Sequence, residues 1–164
     1  HVHATLDPAI QDAANRCDRM KHMFMEDHLR LDGIDQDLND LNSTEISEPL
    51  PATTKFVSYI NEKRKQKPSS LIGALYVKEG ATNGNKFLAM KLRETMDLSP
   101  DTAMRYLDPH GREQRKRWND FKRSLNELEL TPEEEQECLD VAKETFRMVM
   151  DISSQMPEPE IVSK

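Results

Sequence analysis

Cysteine is nearly absent: two residues in 164, Cys17 and Cys138. They form no CxxC pair, which removes the commonest thiolate metal clip. Both fall on apolar helical stripes, so they read as buried free thiols in a reducing compartment rather than as a disulfide. Glycine is scarce, at five residues, and aromatic residues make up only 5%. No stretch alternates apolar and polar residues, so nothing predicts a strand. No apolar run approaches the roughly 18–20 residues that a membrane-spanning helix needs. Positive charge is the minority: 23 Lys and Arg stand against 30 Asp and Glu, a net charge of -7. That balance argues against a nucleic-acid partner. HExxH, paired ExxH helices of the di-iron type, a G-x-S-x-G elbow and a phosphate-binding loop are all missing. What remains is an all-α chain, long enough for one real core, with five to seven helices.

The helices can be placed by periodicity and by their punctuation. Asp7-Pro8 reads as a helix start, with a capping side chain before a first-turn proline. Ile10, Ala14, Cys17, Met20 or Lys21, Phe24, His28 and Leu31 follow at helical spacing, with a break offered by Gly33. IDQDLNDL continues as a short second segment. Residues 42–54, with Pro49 and Pro51, read as a loop. Phe56, Tyr59 and Ile60 mark a helix over 55–65. Residues 69–93, SSLIGALYVKEGATNGNKFLAMKLR, read as one long helix with Gly80 and Gly84 in its middle. Ser99-Pro100 is a fresh start, and Tyr106 to Gly111 a turn. Trp118, Phe121, Leu125 and Leu128 form an amphipathic stripe. Thr131-Pro132-Glu133-Glu134 is a capping box with proline at the first helical position. The helix it opens is expected to bury Cys138, Leu139, Ala142, Phe146, Val149 and Met150. Residues 156–164 read as a flexible tail.

Three features bear on chemistry. A glycine inside a helix costs about 1 kcal/mol relative to alanine, and two of them four residues apart share one face. Gly80 and Gly84 therefore mark either a close crossing by another helix or a surface for something flat and rigid. Between 112 and 123, six cations (Arg112, Arg115, Lys116, Arg117, Lys122, Arg123) outnumber Glu113 and Asp120. That run is either a solvated face or a site for carboxylates and phosphates, backed by Trp118 and Phe121. Among the five histidines, His28 lies within about 40° of Phe24 on the apolar face, while His22 lies opposite and faces water. His28 is either a satisfied core histidine or a ligand to a metal centre.

Two blocks of the chain resemble a known family. LIGALYVKEGATNG (71–84) is similar to the distal helix of heme oxygenases, whose bacterial members carry a pattern like ALYVLEGSTLGG. WNDFKRSLNELELTPEEEQECLDVAKETF (118–146) resembles the two helices that close that fold. LRLDGIDQDLNDL and EPLP resemble the segment before the distal helix, so the likeness covers roughly residues 30–152. It implies a single-domain helical bundle over 1–155, with a glycine-kinked distal helix lying over heme. Gly80 and Gly84 match the glycines that face the heme. Lys122 matches a residue that holds a heme propionate, with Arg117 and Arg123 nearby, and Phe146 matches an aromatic packed near the pocket. The position after the first glycine often holds aspartate or serine to organise distal water; here it is Ala81, which leaves Thr82 and Asn83 as the polar neighbours. The family's iron-binding histidine stands on a first helix. Only 79 residues precede Gly80, so that helix is expected to be missing, with His28 or His22 as substitute ligand. His22 has Glu26 four residues on, as the family's histidine often does.

The resemblance implies a heme-binding protein, with two functions to separate. One is the enzyme, cleaving heme oxidatively to biliverdin, carbon monoxide and iron with electrons from a donor protein. The other is a non-catalytic structural or interaction subunit that keeps the fold and has lost the iron ligand. Either is expected to act inside the cell, in the cytoplasm or in a plastid or mitochondrion, without spanning a membrane.

Overall fold

A computed structural model describes residues 1–43, 46–96 and 104–157. Seven α-helices and three short 3-10 turns are present among the described residues, and no strand. The helices are α1 (Val2–Arg16), α2 (Asp18–Met23), α3 (Leu31–Asp40), α4 (Pro51–Gln66), α5 (Ile72–Met96), α6 (Gln114–Asn126) and α7 (Pro132–Gln155). Helix α5 packs most extensively on α7, and α1 on α4 and α2. Their shared core holds Ile10, Met20, Phe56, Ile60, Leu71, Leu75 and Val141, all essentially solvent-free. None of the described helices is long and apolar enough to cross a membrane.

Local signals placed some boundaries correctly and misplaced others, for identifiable reasons. The capping box at α7 is present: the Glu134 N–H donates to Thr131 Oγ1 at 3.3 Å, and the Thr131 N–H to Glu134 Oε2 at 2.9 Å. Gly111 takes φ +51° in the turn before α6, a backbone state that suits glycine. By contrast, α1 begins at Val2 and carries Pro8 inside it. Asp7 caps a different helix. Its Oδ2 accepts the backbone N–H groups of Arg30 at 2.5 Å and Leu31 at 3.0 Å, which closes the start of α3. The apolar repeat from Ile10 to Leu31 is not one helix either. Extended backbone at Cys17 and Phe24 interrupts it, and Gly33 lies within α3 rather than at a break. Pro51 does not exclude helix; it opens α4 at the first position, where its missing N–H costs nothing. The start expected at Ser99-Pro100 lies outside the described residues, as does the tail beyond Pro157.

The largest correction concerns α7. Its inward face is Val141, Thr145, Met148 and Ile152. Cys138 and Ala142 are half-buried beside that face. Leu139, Phe146, Val149 and Met150, expected inside, are exposed, Phe146 to 60%. Helix α7 thus has a second apolar face that no part of the described chain covers. Both cysteines are free, and burial pushes the Cys138 thiol up to about 11.

Candidate functional site

Helix α5 carries three glycines on one stripe. At 100° per residue, Gly73, Gly80 and Gly84 fall within about 40° of one another. They differ in what stands over them. A Cβ at Gly73 would lie 2.1 Å from the Cys138 carbonyl oxygen and 2.8 Å from the Ala142 nitrogen. The close helix crossing is therefore here, against the backbone of α7. At Gly80 the nearest atom is the Trp118 ring, at 3.6 Å, and at Gly84 none of the described residues comes within 4 Å. Helix α7 fills the lower glycine; the upper two have room for a Cβ, with the Trp118 ring at ordinary contact distance from Gly80 and none of the described residues near Gly84.

The walls of this open stripe are apolar. Tyr76 and Phe87 share the glycine face of α5 and are exposed to 41% and 73%. Trp118 of α6 stacks on Phe121 at 5.6 Å and tilts against Tyr76 at 5.4 Å. Tyr76 and Leu139 together line a cavity of about 430 Å³ between α5, α6 and α7, so the exposed face of α7 adjoins the glycine face there. Leu139, Phe146 and Met150 lie within about 40° around α7 and form that face.

The cations of α6 are mostly committed. Arg117 pairs with Asp27 at 2.7 Å, and Lys116 and Arg123 share Asp120 at 2.9 and 2.7 Å. Hydrogen bonding from Lys116, reinforced by Arg123, holds the Asp120 carboxyl below its ordinary range. Lys122 has no carboxylate partner among the described residues; its ammonium lies 5.6 Å from the centre of the Trp118 ring, at the edge of the stripe. A cleft of about 580 Å³ elsewhere is lined by Arg30, Arg93, Arg105 and Arg117 and contains neither open glycine. All four arginines there already face a carboxylate.

Beside Gly80, Ala81 faces a separate cavity of about 270 Å³ that it shares with Ala74, Val77, Val149 and Thr145. Thr82 is buried and donates its hydroxyl to the Lys78 carbonyl at 3.1 Å. Asn83 reaches the Gly80 carbonyl at 3.4 Å. Both polar neighbours of Ala81 therefore bond to their own helix.

The two candidate iron ligands differ sharply. His22 is exposed on α2. His28 is 5% exposed, edge-on to Phe24 at 6.4 Å and Phe121 at 5.8 Å. Its Nδ1 accepts the Met25 N–H at 3.2 Å, which assigns the ring proton to Nε2. Burial, with the Lys78 ammonium next, pushes its pKa down to about 3. A neutral, packed histidine has a measurable signature. The unfolded chain takes up a proton near the ordinary value of 6.5, above the folded pKa. The contribution is therefore complete above pH 6.5 and declines as pH falls toward 3, on the order of a few kcal/mol. Urea midpoints measured across that window should drop with acid in the parent and drop less in His28→Gln. Parallel curves would show that His28 is not buried as a neutral ring.

Behind the stripe lies a group that periodicity had given no sign of. Lys78 and Glu79, the two residues before Gly80, are buried with Asp7 and Arg30. Arg30 Nη2 meets both Glu79 oxygens at 3.1 Å. Lys78 lies 3.5 Å from Asp7 and 3.8 Å from Glu79, and donates to the His28 carbonyl. Burial would raise the Asp7 carboxyl, but hydrogen bonding to His3 and the Lys78 charge overcome it and hold it at about 2. Burial pushes Glu79 up and Lys78 down. In sequence, a Lys-Glu pair inside a helix reads as a wet face, so only the fold reveals this cluster.

A family model described as heme oxygenase matches residues 1–155. No curated protein matches the chain by sequence. Heme oxygenase from Leptospira interrogans shares the fold, with a TM-score of 0.84 at 19% identity, over 94% of this chain and 78% of that one. Heme oxygenase 2 from Chlamydomonas reinhardtii, solved without heme, gives 0.84 at 17% identity over 97% and 79%. Heme oxygenase-1 from the cyanobacterium Synechocystis, solved in complex with heme, gives 0.75 at 17% identity over 92% and 72%. At these identities the structural likeness is one of fold.

Proposed function

This chain belongs to the heme oxygenase family, and from that premise we propose that it binds heme against the glycine face of α5. The observation that carries the reading is the contrast along one stripe: Gly73 is filled by α7, while Gly84 has nothing within 4 Å. A flat macrocycle needs such bare backbone, because any side chain would hold it off. The exposed Tyr76, Phe87 and Phe146 supply apolar surface for its faces and edges. Lys122 is the first choice for a propionate, since it lacks a carboxylate partner among the described residues. Arg117 and Arg123 come second, because each would have to share a carboxylate it already holds.

The glycine face would suit heme; the two candidate iron ligands would not. His28 is packed between phenylalanine rings with Nδ1 engaged, and His22 is an exposed residue of the short helix α2. Ala81 adds no hydrogen-bonding group beside Gly80, and Thr82 is turned to its own helix. Bound heme supplies oxygen activation in this family, with biliverdin, carbon monoxide and iron as products and a donor protein as the electron source. The residues present support holding the macrocycle more directly than cleaving it. A heme-binding or interaction role without ring cleavage is therefore the second reading, favoured by Ala81 and by the burial of His28.

Heme titration followed by absorption tests both. A Soret band saturating at one heme per chain supports the binding face, and its weakening about tenfold in Lys122→Ala supports the propionate site. Loss of the band in His22→Ala or His28→Ala identifies the iron ligand. Biliverdin formed with a supplied reductase selects the enzyme, whereas a saturable band without turnover selects the second reading. Absence of saturable binding at micromolar heme overturns the proposal.

A further inference from the structure

We infer that Arg30, through its buried ion pair with Glu79, is a positioning residue that sets the open glycine segment of α5. This rests on the reading that the segment is a ligand surface. Arg30 stands just ahead of α3 and is 4% exposed. Its backbone N–H is held by Asp7 of α1, and its guanidinium also donates to the Asp27 carbonyl. One nitrogen of that guanidinium, Nη2, meets both oxygens of Glu79 while Nη1 holds the Asp27 carbonyl, so the Glu79 carboxylate is tied to the 26–31 segment. Lys78 repeats the connection one residue earlier, to Asp7 and to the His28 carbonyl. Two successive residues of α5 are thereby tied to α1 and to the 26–31 segment, directly before the first open glycine.

The placement answers a physical need. Helix through Gly80 and Gly84 has weak intrinsic preference, and no neighbour presses on Gly84 to hold it. A ligand surface made of backbone must nevertheless sit at one height and one angle. Buried ion pairs are poor stabilisers, because desolvating the charges consumes most of their attraction. Four buried charges beside the least constrained turn of α5 fit fixing geometry better than adding stability.

The test separates those roles. Arg30→Met with Glu79→Met replaces the pair by apolar groups of similar size, and Arg30→Gln with Glu79→Gln, which also removes both charges, serves as a second variant should the first not fold. Amide hydrogen exchange at Gly80 and Gly84, read by NMR in the heme-free protein, should speed up about tenfold or more relative to the rest of α5. The thermal midpoint should stay near the parent value. Exchange unchanged at the two glycines, or raised evenly along α5 with a matching fall in the midpoint, would overturn the inference. The exchange result stands whether or not heme binds. Heme titration of the parent then judges the ligand reading, and weaker heme binding in the variant links the two.

Discussion

Replacing Gly73 by alanine is expected to cost about 3 kcal/mol or more, the largest loss among glycine-to-alanine changes in this chain. The new Cβ would sit 2.1 Å from one α7 backbone atom and 2.8 Å from another. Neither is the end of a flexible side chain that could swing away. Relief therefore requires α5 and α7 to separate by more than an ångström, along the most extensive helix contact in the fold. Separation would loosen Val141, Leu75 and Ile72, which are essentially solvent-free in the shared core. For a domain of this size the loss corresponds to a thermal midpoint lowered by roughly 6–12 °C. Gly84→Ala is the internal control: same helix, same stripe, no neighbour, and a gain of up to about 1 kcal/mol from helix propensity. A Gly73→Ala midpoint within about two degrees of the parent would mean that α5 and α7 do not cross backbone to backbone at Gly73.

That contrast also shows how much of the site could be read from the sequence. The i, i+4 spacing singled out Gly80 and Gly84, and spacing alone left packing and ligand contact both open. Packing falls instead to Gly73, which has no glycine four residues on and so gives no such signal. The order of the two resembling blocks carried the fold. Local grammar succeeded where both partners are neighbours in the chain, as at Thr131 and Glu134. It failed at Asp7, whose carboxylate looks like a local cap and serves amides 23 and 24 residues away. Periodicity told that α7 is apolar on one broad side. It could not tell that Val141, Thr145, Met148 and Ile152 point inward while Leu139, Phe146 and Met150, a quarter-turn or more round the helix, stay exposed among the described residues. Which half of an apolar arc is covered depends on where other helices run, a property of the whole chain. The Lys78–Glu79 pair was hidden for the same reason: its partners come from 49 and more positions away.

Gly84→Leu should separate folding from ligand binding. None of the described residues lies within 4 Å of its Cβ, so the side chain starts into open space, and leucine is a better helix former than glycine. Stability should hold or rise slightly. The leucine side chain would stand on the one part of α5 where backbone is bare. A planar ring in van der Waals contact approaches to about 3.5–4 Å, closer than a leucine permits. Heme affinity should therefore fall about a hundredfold, or about 2.7 kcal/mol, with the circular dichroism spectrum and midpoint unchanged. Gly80→Leu should act similarly but also disturb the Trp118 ring, 3.6 Å from where its Cβ would stand, so Gly84 is the cleaner site. Lys122→Ala, which removes a rim charge and leaves the face intact, should lose about tenfold. The order of the two losses carries the argument: a face that holds a flat ligand is more sensitive to bulk at its centre than to charge at its edge. Undiminished binding in Gly84→Leu would place heme elsewhere, with the arginine-lined cleft as the next surface to test, and would return the open glycines to the status of an uncovered helix face.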